Sequence, residues 1–270
     1  MNVKQFTNLI TLDQTDYIQS IKSIDISNER KKIKDCPLTI DETEDLRSAI
    51  GQLGWVASNT RPDLAFDVCY LSGRLKNPTI KEILMVNKSI SKAKSEQVIL
   101  HFGNGVKPSE CVISGFHDAS FGNLEDGGSQ GGFMILLGDE YDRHRSPIMW
   151  QSRRVRRVVK SAMASETLTM VECSEACFWI NQLAAEILGY KNELLPIICY
   201  TDSKQLYDAT YSLRSIEDKR LRIDIAVIRE MLGKKEINKI IRIPSEEQLA
   251  DCLTKLGASS SKLIRLLNRK

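Results

Sequence analysis

The feature that most constrains the fold is a series of short apolar segments in the second half of the chain. Three of them, CVISGFHD (111–118), GGFMILLG (131–138) and SPIMWQS (146–152), follow one another with Gly-, Asn- and Asp-bearing turns between them. Segments of this length, separated in this way, are typical of consecutive antiparallel strands. The pattern therefore predicts a three-stranded meander.

After the meander, apolar segments alternate with helical ones. A long helix is expected from about residue 165 to residue 188, ended by Gly189. LPIICYTD (195–202) and INKIIRI (237–243) are predicted to be strands, with helices between them and a last helix from about Glu246. A meander followed by alternating helices and strands predicts an α/β fold with a mixed sheet and flanking helices.

The first part of the chain has a different pattern. Helices are predicted from Asp41, as N-cap, to the TRPD break at 60–63, then from Ala65 to Leu75 and from Thr79 to about Lys94. Residues 41–96 are thus expected to form a small helical unit before a sheet-containing domain at 97–270, whose first strand would be QVILHF. Residues 1–40 are expected to be irregular, apart from a possible strand at 6–12 without an obvious partner.

Composition narrows the class of protein. The 270 residues are 42% hydrophobic and 27% charged, which favours a folded chain, and a net charge of +3 says little about partners. The seven cysteines are scattered and form no C-x-x-C pair, which favours a reduced intracellular protein over a disulfide framework or a zinc site. No signal peptide is predicted and no apolar run approaches the roughly 18 residues of a membrane span, so a cytoplasmic or nuclear protein without membrane association is expected.

Four acidic residues lie where apolar strands end or helices begin: Asp118, Glu166, Asp202 and Asp251. Acids in such positions can converge at one edge of a sheet, where they would need cations, and hard carboxylate oxygens favour Mg²⁺ or Mn²⁺ over zinc. Three of them have a structural alternative, because Asp202 could cap a helix, Glu166 could serve a helix dipole and Asp118 could be a turn residue. Spacing alone does not join them.

The segments that carry these acids resemble a known family. HDAS, ASETLTM, YTDSKQL and EQLADCLTK are similar to the Asp-Glu-Asp-Asp series of ribonuclease H domains from copia-type LTR retrotransposons. MWQSRRVRRVVKSAMASE and DKRLRIDIAVIRE resemble further segments of that domain. LRSAIGQLGWVASNTRPDLAFDVCYLS is similar to the segment that links reverse transcriptase to ribonuclease H in the same polyprotein, and ITLDQTDYIQSI to a piece further upstream.

The resemblance implies a ribonuclease H-like fold, with a mixed five-stranded sheet preceded by the helical unit. It also implies a hydrolase that uses two Mg²⁺ (or Mn²⁺) ions. Asp118 would bind both ions, Glu166 and Asp202 the ion on the leaving-group side, and Asp251 the ion that activates the attacking water. The substrate would be the RNA strand of an RNA–DNA hybrid, and an upstream reverse transcriptase domain would be a partner.

A basic run precedes the glutamate helix and supplies five positive charges in eight residues: Arg153, Arg154, Arg156, Arg157 and Lys160. Such a run could line a groove for phosphates, and the alternative is a solvated basic hairpin. His117 lies next to Asp118 in sequence and is expected to be a neighbour of the metal rather than a ligand.

The sequence also departs from the family pattern. Ser120 stands where the family usually has a second acid, ASETLTM replaces a segment closer to S-T-E-A-E-Y, and no polymerase palm motif occurs. Two hypotheses follow. The chain is a metal-dependent endonuclease, as part or remnant of a retrotransposon polyprotein, or it is a catalytically inert remnant that acts at most as a nucleic-acid-binding module.

Overall fold

The computed structural model describes residues 1–103, 110–139, 145–189, 194–212 and 216–269. The strands are β1 (Asn2–Gln5), β2 (Leu9–Asp13), β3 (Leu100–Gly103), β4 (Cys111–Ser120), β5 (Gln130–Asp139), β6 (Arg145–Arg154), β7 (Ile197–Thr201) and β8 (Lys239–Arg242). The helices are α1 (Thr15–Ser20), α2 (Asn28–Lys32), α3 (Ile40–Asn59), α4 (Ala65–Ser72), α5 (Ile80–Ser95), α6 (Ala162–Leu188), α7 (Lys204–Tyr211), α8 (Lys219–Gly233) and α9 (Ser261–Leu267).

The larger sheet has five strands in the described residues, in the order β6-β5-β4-β7-β8. The first three are antiparallel, and β7 and β8 run parallel to β4. The register places Asp118 opposite Gly132 on one side, and Phe116 beside Tyr200 on the other. The predicted meander and the mixed five-stranded α/β sheet are confirmed.

Both faces of this sheet are covered, as the burial of β4 along nearly its whole length shows. Ile113 and its neighbours on one face pack against α6, where the thiols of Cys173 and Cys177 are free and buried. On the other face Phe116 lies in a second cluster with Leu249. This central strand is therefore buried at successive positions rather than at alternate ones, and the buried positions include the polar residues Ser114, His117 and Asp118.

Two adjacent glycines in β5 allow the layers to approach closely at the end of the sheet that carries Asp118. A Cβ atom on Gly131 would lie 2.5 Å from Oγ1 of Thr169 in α6. On Gly132 it would lie 2.6 Å from Cβ of Leu253, on the opposite face. Backbones can pack at this distance only where no side chain intervenes, so these glycines determine how near the flanking segments come to the sheet.

The helical part has its own core, formed by α3, α4 and α5 with α1. Its helix α3 begins after Thr39 rather than at the predicted Asp41, because the side chains of Thr39 and Glu42 form a capping box. No residue of 41–95 contributes a strand to the five-stranded sheet. The domain boundaries at 41–96 and 97–270 stay a prediction.

The expectation that residues 1–40 are irregular was wrong. They contain β1, β2, α1 and α2, and β2 pairs with β1 on one side and with β3 on the other. The strand predicted at QVILHF therefore belongs to a separate three-stranded sheet. Its partner lies about ninety residues earlier in the chain, and local periodicity does not indicate which distant segment a strand pairs with.

The predicted last helix from about Glu246 was also wrong. Residues 245–254 form two short 3-10 turns, Ser245–Glu247 and Asp251–Leu253, and α9 begins only at Ser261. The buried side chains of Leu249 and Leu253 hold this segment against the sheet. Tertiary packing thus replaces the regular helix that the local sequence favoured.

None of the described helices is long and apolar enough to cross a membrane.

Replacement of Gly132 by Ala is expected to lower the free energy of unfolding by about 1–3 kcal/mol, because the added methyl group overlaps Leu253. Urea unfolding followed by circular dichroism measures the change. Gly51→Ala is the matched control, since Gly51 lies in the interior of α3 with nothing within 4 Å of an added Cβ, and there the stability should rise by up to about 1 kcal/mol. Equal effects of the two substitutions would contradict the close approach at Gly132.

Candidate metal centre

Two of the four predicted acids are brought together by the parallel pairing of β4 and β7. Phe116 and Tyr200 are register partners, and Asp118 and Asp202 each stand two residues further along. Neighbouring strands lie about 4.8 Å apart, so both carboxylates lie at the same edge of the sheet. Asp118 is 2% exposed, and Oδ2 of Asp202 accepts a 2.8 Å hydrogen bond from the hydroxyl of Ser245.

Glu166 approaches the same edge from α6. The N-cap of α6 is Ser161, whose side chain accepts a hydrogen bond from the Ala164 amide. Glu166 therefore lies beyond the first turn, and capping does not account for it. Its side chain is nearly buried, and its Oε2 has no hydrogen-bond partner in the described part of the chain. A buried, unpartnered carboxylate oxygen is costly unless a cation is bound.

Asp118, Glu166 and Asp202 each offer a carboxylate oxygen within 4.8 Å of the other two. Asp251 is not in this close group. It begins the second 3-10 turn, and Nζ of Lys255 contacts its carboxylate while lying 3.5 Å from Oδ2 of Asp118. The structure therefore brings three of the four predicted acids together. The fourth, Asp251, is separated from Asp118 by the ammonium group of Lys255.

The close group is electrostatically strained without a cation. Burial raises the pKa of Asp118, and the charges of Asp251 and Asp202 add to the rise, whereas Lys255 and Thr254 oppose it. Burial raises the pKa of Glu166 well above its usual value, and the charges of Asp118 and Asp202 raise it further. Asp118 and Glu166 therefore both resist ionisation in these positions.

His117 lies beside the group but outside it. Its side chain is completely buried, neither ring nitrogen has a hydrogen-bond partner in the described residues, and Nδ1 lies 3.7 Å from Oε2 of Glu166. Burial lowers the pKa of His117 to about 4, with the charge of Asp202 opposing the shift. The imidazole is therefore neutral near pH 7, and its contact with Glu166 is not an ion pair.

Sequence reasoning missed the residues that position these acids. The hydroxyl of Thr254 donates to Oδ2 of Asp118, and Lys255 contacts Asp251. Nε2 of Gln248 donates to the carbonyl oxygen of His117 at 2.9 Å. Gln248, Thr254 and Lys255 all lie in the segment EQLADCLTK, close to Asp251. The sequence feature that could have indicated them is this set of polar residues around a predicted metal ligand.

The donor set fits a hard divalent cation. All the close ligands are carboxylate oxygens, one of them a buried Glu166 oxygen without a partner in the described residues. Oxygen-only sites favour Mg²⁺ or Mn²⁺, and no cysteine is among the clustered ligand atoms.

The basic run is only partly available to a ligand. Arg153 pairs with Glu172, Arg154 with Asp126, and Arg157 with Asp224.

Arg156 and Lys160 are exposed, and no ion pair joins either of them to a described residue. Register places Asp118, Gly132 and Ser152 in one row across three strands, with Arg153 one residue beyond. The run thus starts at the sheet edge that carries the acids.

Comparison with known proteins finds relatives among retrotransposon Pol polyproteins. The chain is 26% identical over 236 residues to a retrovirus-related Pol polyprotein from the Nicotiana tabacum transposon TNT 1-94, an alignment that covers 83% of this chain. It is 26% and 27% identical to the Pol polyproteins of the Arabidopsis thaliana transposons RE1 and RE2, over 80% of the chain. Its homologues are copia-type retrotransposon Pol polyproteins. The chain spans 14–16% of the length of these relatives, and no protein-family model matches it.

Solved structures with partial similarity include ribonuclease H1 from Halobacterium salinarum, with a TM-score of 0.38 and 18% identity over 53% of this chain and 94% of that one. LC11-RNase H1 in complex with RNA/DNA hybrid has a TM-score of 0.39 and 16% identity, over 53% of this chain and 93% of that one. The foamy viral protease-reverse transcriptase in complex with RNA/DNA hybrid has a TM-score of 0.47 and 13% identity, over 95% of this chain and 31% of that one.

Asp118 and Glu166 are expected to make a contribution to the stability of the metal-free protein that falls as the pH rises. Buried His117, whose pKa is lowered to about 4, contributes in the opposite direction below about pH 6.5. The folded pKa values of Asp118 and Glu166 lie above those of the unfolded chain, so the folded state holds more protons. By linkage, the stability that these two carboxyl groups contribute is fully present below about pH 4 and is lost as the pH rises through their folded pKa values. Thermal unfolding in EDTA from pH 4 to pH 8, compared between the wild type and Glu166→Gln, isolates the contribution of Glu166.

Glu166→Gln removes one of the strained carboxylates and should make the metal-free protein more stable than the wild type at pH 7.5, by roughly 2–4 °C in Tm for each kcal/mol of relief. The difference should shrink towards pH 4.5. Glu175→Gln, an exposed position on the same helix, is the control and should leave the profile unchanged. A wild-type profile in Glu166→Gln would show that burial of this carboxylate costs no stability.

Proposed function

We propose that this chain contains a ribonuclease H-type hydrolase that cleaves the RNA strand of RNA–DNA hybrids with two Mg²⁺ or Mn²⁺ ions. The observation that carries the proposal is the close group of Asp118, Glu166 and Asp202 at one edge of a mixed five-stranded sheet. The homology to retrotransposon Pol polyproteins supports the same reading, because a reverse-transcribing element produces such hybrids.

In the proposed site the four acids would divide three roles among them. Asp118 would bind both ions, while Glu166 and Asp202 would hold the ion on the leaving-group side. Asp251 would hold the ion next to the attacking water. Bound ions would lower the pKa of that water and offset the charge that develops on the scissile phosphate.

The neighbouring residues act by positioning and by excluding water. Thr254 orients the carboxylate of Asp118 through its hydroxyl, and Ser245 does the same for Asp202. The buried, neutral ring of His117 lies 3.7 Å from Oε2 of Glu166 and adds no positive charge that would compete with a metal ion.

The substrate is proposed to be held by its backbone. A hybrid duplex offers phosphates and 2′-hydroxyls that can be contacted without regard to base sequence. Arg156 and Lys160 are exposed cations in the run that begins at the edge of the acids, so they are the first candidates for phosphate contacts. Arg153, Arg154 and Arg157 would have to leave their carboxylate partners to take part.

Cleavage of a labelled RNA–DNA hybrid by the purified chain in Mg²⁺ or Mn²⁺ tests the proposal. Asp202→Asn should lower the cleavage rate by at least about 10–100-fold, because loss of a ligand should cost no less than the 10–100-fold typical of outer-sphere partners. The matched control is Asp45→Asn, the same chemical change at an exposed position on α3. Hybrid binding without cleavage in either metal would instead support an inert nucleic-acid-binding module.

The salt dependence of hybrid binding should distinguish the exposed cations of the basic run from the arginines that already pair with carboxylates. Each lost phosphate contact removes about 0.9 from the slope of log K against log salt for duplex DNA, so Arg156→Ala with Lys160→Ala should flatten the slope by roughly 2. Arg153→Ala with Arg154→Ala should change it by less than about 1, since Glu172 and Asp126 already offset those charges. Fluorescence anisotropy at several salt concentrations gives both slopes. Unchanged slopes in both variants would show that the run is a solvated hairpin.

A further inference from the structure

The side chain of Lys255 lies in the position where the second ion of the proposed site belongs. Its Nζ contacts Oδ1 of Asp251 and lies 3.5 Å from Oδ2 of Asp118. These are the two acids that would share the ion next to the attacking water. An ammonium group and a divalent ion cannot both lie between the same two carboxylates, because the two cations would repel each other at contact distance.

The lysine can leave this position. Its side chain is 40% exposed and follows the 3-10 turn Asp251–Leu253 at the surface, so withdrawal into solvent needs only rotation of its flexible stem. Asp118, by contrast, is 2% exposed and is fixed by the hydroxyl of Thr254. The carboxylate of Asp118 is thus buried and hydrogen-bonded, whereas the ammonium group beside it belongs to a partly exposed, flexible side chain.

Lys255 does not block the other two acids of the close group, Glu166 and Asp202. Glu166 and Asp202 have no contact with Lys255 among the described ion pairs and hydrogen bonds, and their oxygens lie within 4.8 Å of one from Asp118. One ion can therefore bind to this group while Lys255 stays between Asp118 and Asp251. The two ion positions differ in that only one of them has a resident cation.

We propose that Lys255 is a positioning residue that fills the Asp118–Asp251 position until a second divalent ion displaces it, so that the protein binds its ions in order. This inference rests on the proposed function. The first ion binds to Asp118, Glu166 and Asp202. The second binds more weakly because it must first displace the ammonium group. In the metal-free protein the same ammonium group offsets part of the repulsion between Asp118 and Asp251.

Binding of Mn²⁺ alone, without nucleic acid, tests the order. Isothermal titration calorimetry gives the two affinities, and electron paramagnetic resonance detects the spin coupling expected of ions about 3.5–4 Å apart. Wild-type protein should bind one ion, with coupled pairs forming only at much higher Mn²⁺. Lys255→Met should tighten the second ion by roughly 10–100-fold, the range of effect that groups contacting metal ligands exert.

Two control variants separate this role from a general effect on folding. Lys255→Arg keeps a cation between the two carboxylates and should retain the weak second site. Lys262→Met, at an exposed position in α9, should bind Mn²⁺ as the wild type does. Circular dichroism establishes that each variant is folded.

The outcomes distinguish this inference from the proposed function. If Asp202→Asn abolishes binding of the first ion but Lys255→Met leaves the second affinity unchanged, the metal site stands and the role of Lys255 is refuted. If Lys255→Met and Lys255→Arg tighten the second ion equally, loss of the positive charge is not the cause and the inference is again refuted. If the wild type shows no Mn²⁺ binding that depends on Asp202, both proposals fail.

Discussion

The parallel pairing of β4 with β7 is the interaction on which the candidate site depends. The rings of Phe116 and Tyr200 stack with centroids 4.4 Å apart and planes 5° from parallel, and this contact fixes the register of the two strands. Two residues further on, both strands carry an aspartate. A shift of one residue would turn one carboxylate to the opposite face of the sheet. Apolar contacts inside the sheet thus hold together two charges that repel each other at its edge.

The segment 245–254 stabilises this edge from one face. Ser120 and Ser152 donate hydrogen bonds to the carbonyl oxygens of Thr254 and Leu253, at 2.8 Å and 2.6 Å. The segment can approach so closely because Gly132 has no side chain. The same approach brings Thr254 and Lys255 to Asp118. Proteins commonly accept a local loss of stability at a functional site and offset it through the surrounding structure, and here the offset comes from these neighbouring contacts.

In the helical part of the chain, a buried arginine connects the turn after α3 to the end of α5. Arg61 is 1% exposed, pairs with both carboxylate oxygens of Asp63, and donates to the carbonyl oxygens of Ala93 and Glu96 at the end of α5. A guanidinium group is stable in such a position only when its donors are satisfied in this way. Nε1 of Trp150 in β6 donates to the carbonyl oxygen of Ala57 in α3 at 2.7 Å, so the helices also contact the larger sheet.

The sequence by itself determined the elements that depend on short-range patterns. Apolar segments separated by turn residues predicted the meander and the strands β7 and β8, and a motif resemblance identified the acids of the close group. These features could be predicted because the periodicity of a strand or helix, and the residue types in a motif, are properties of neighbouring residues.

Tertiary structure alone decided which distant segments meet. It paired β2 with β3, held 245–254 as two short turns instead of a helix, and joined Arg153, Arg154 and Arg157 to acids far away in sequence. It also placed the ammonium group of Lys255 between Asp118 and Asp251. A local pattern shows that a residue is charged or that a segment is apolar. It does not show which distant residue or segment that residue or segment will contact, because contact energies depend on distances that only the folded chain defines.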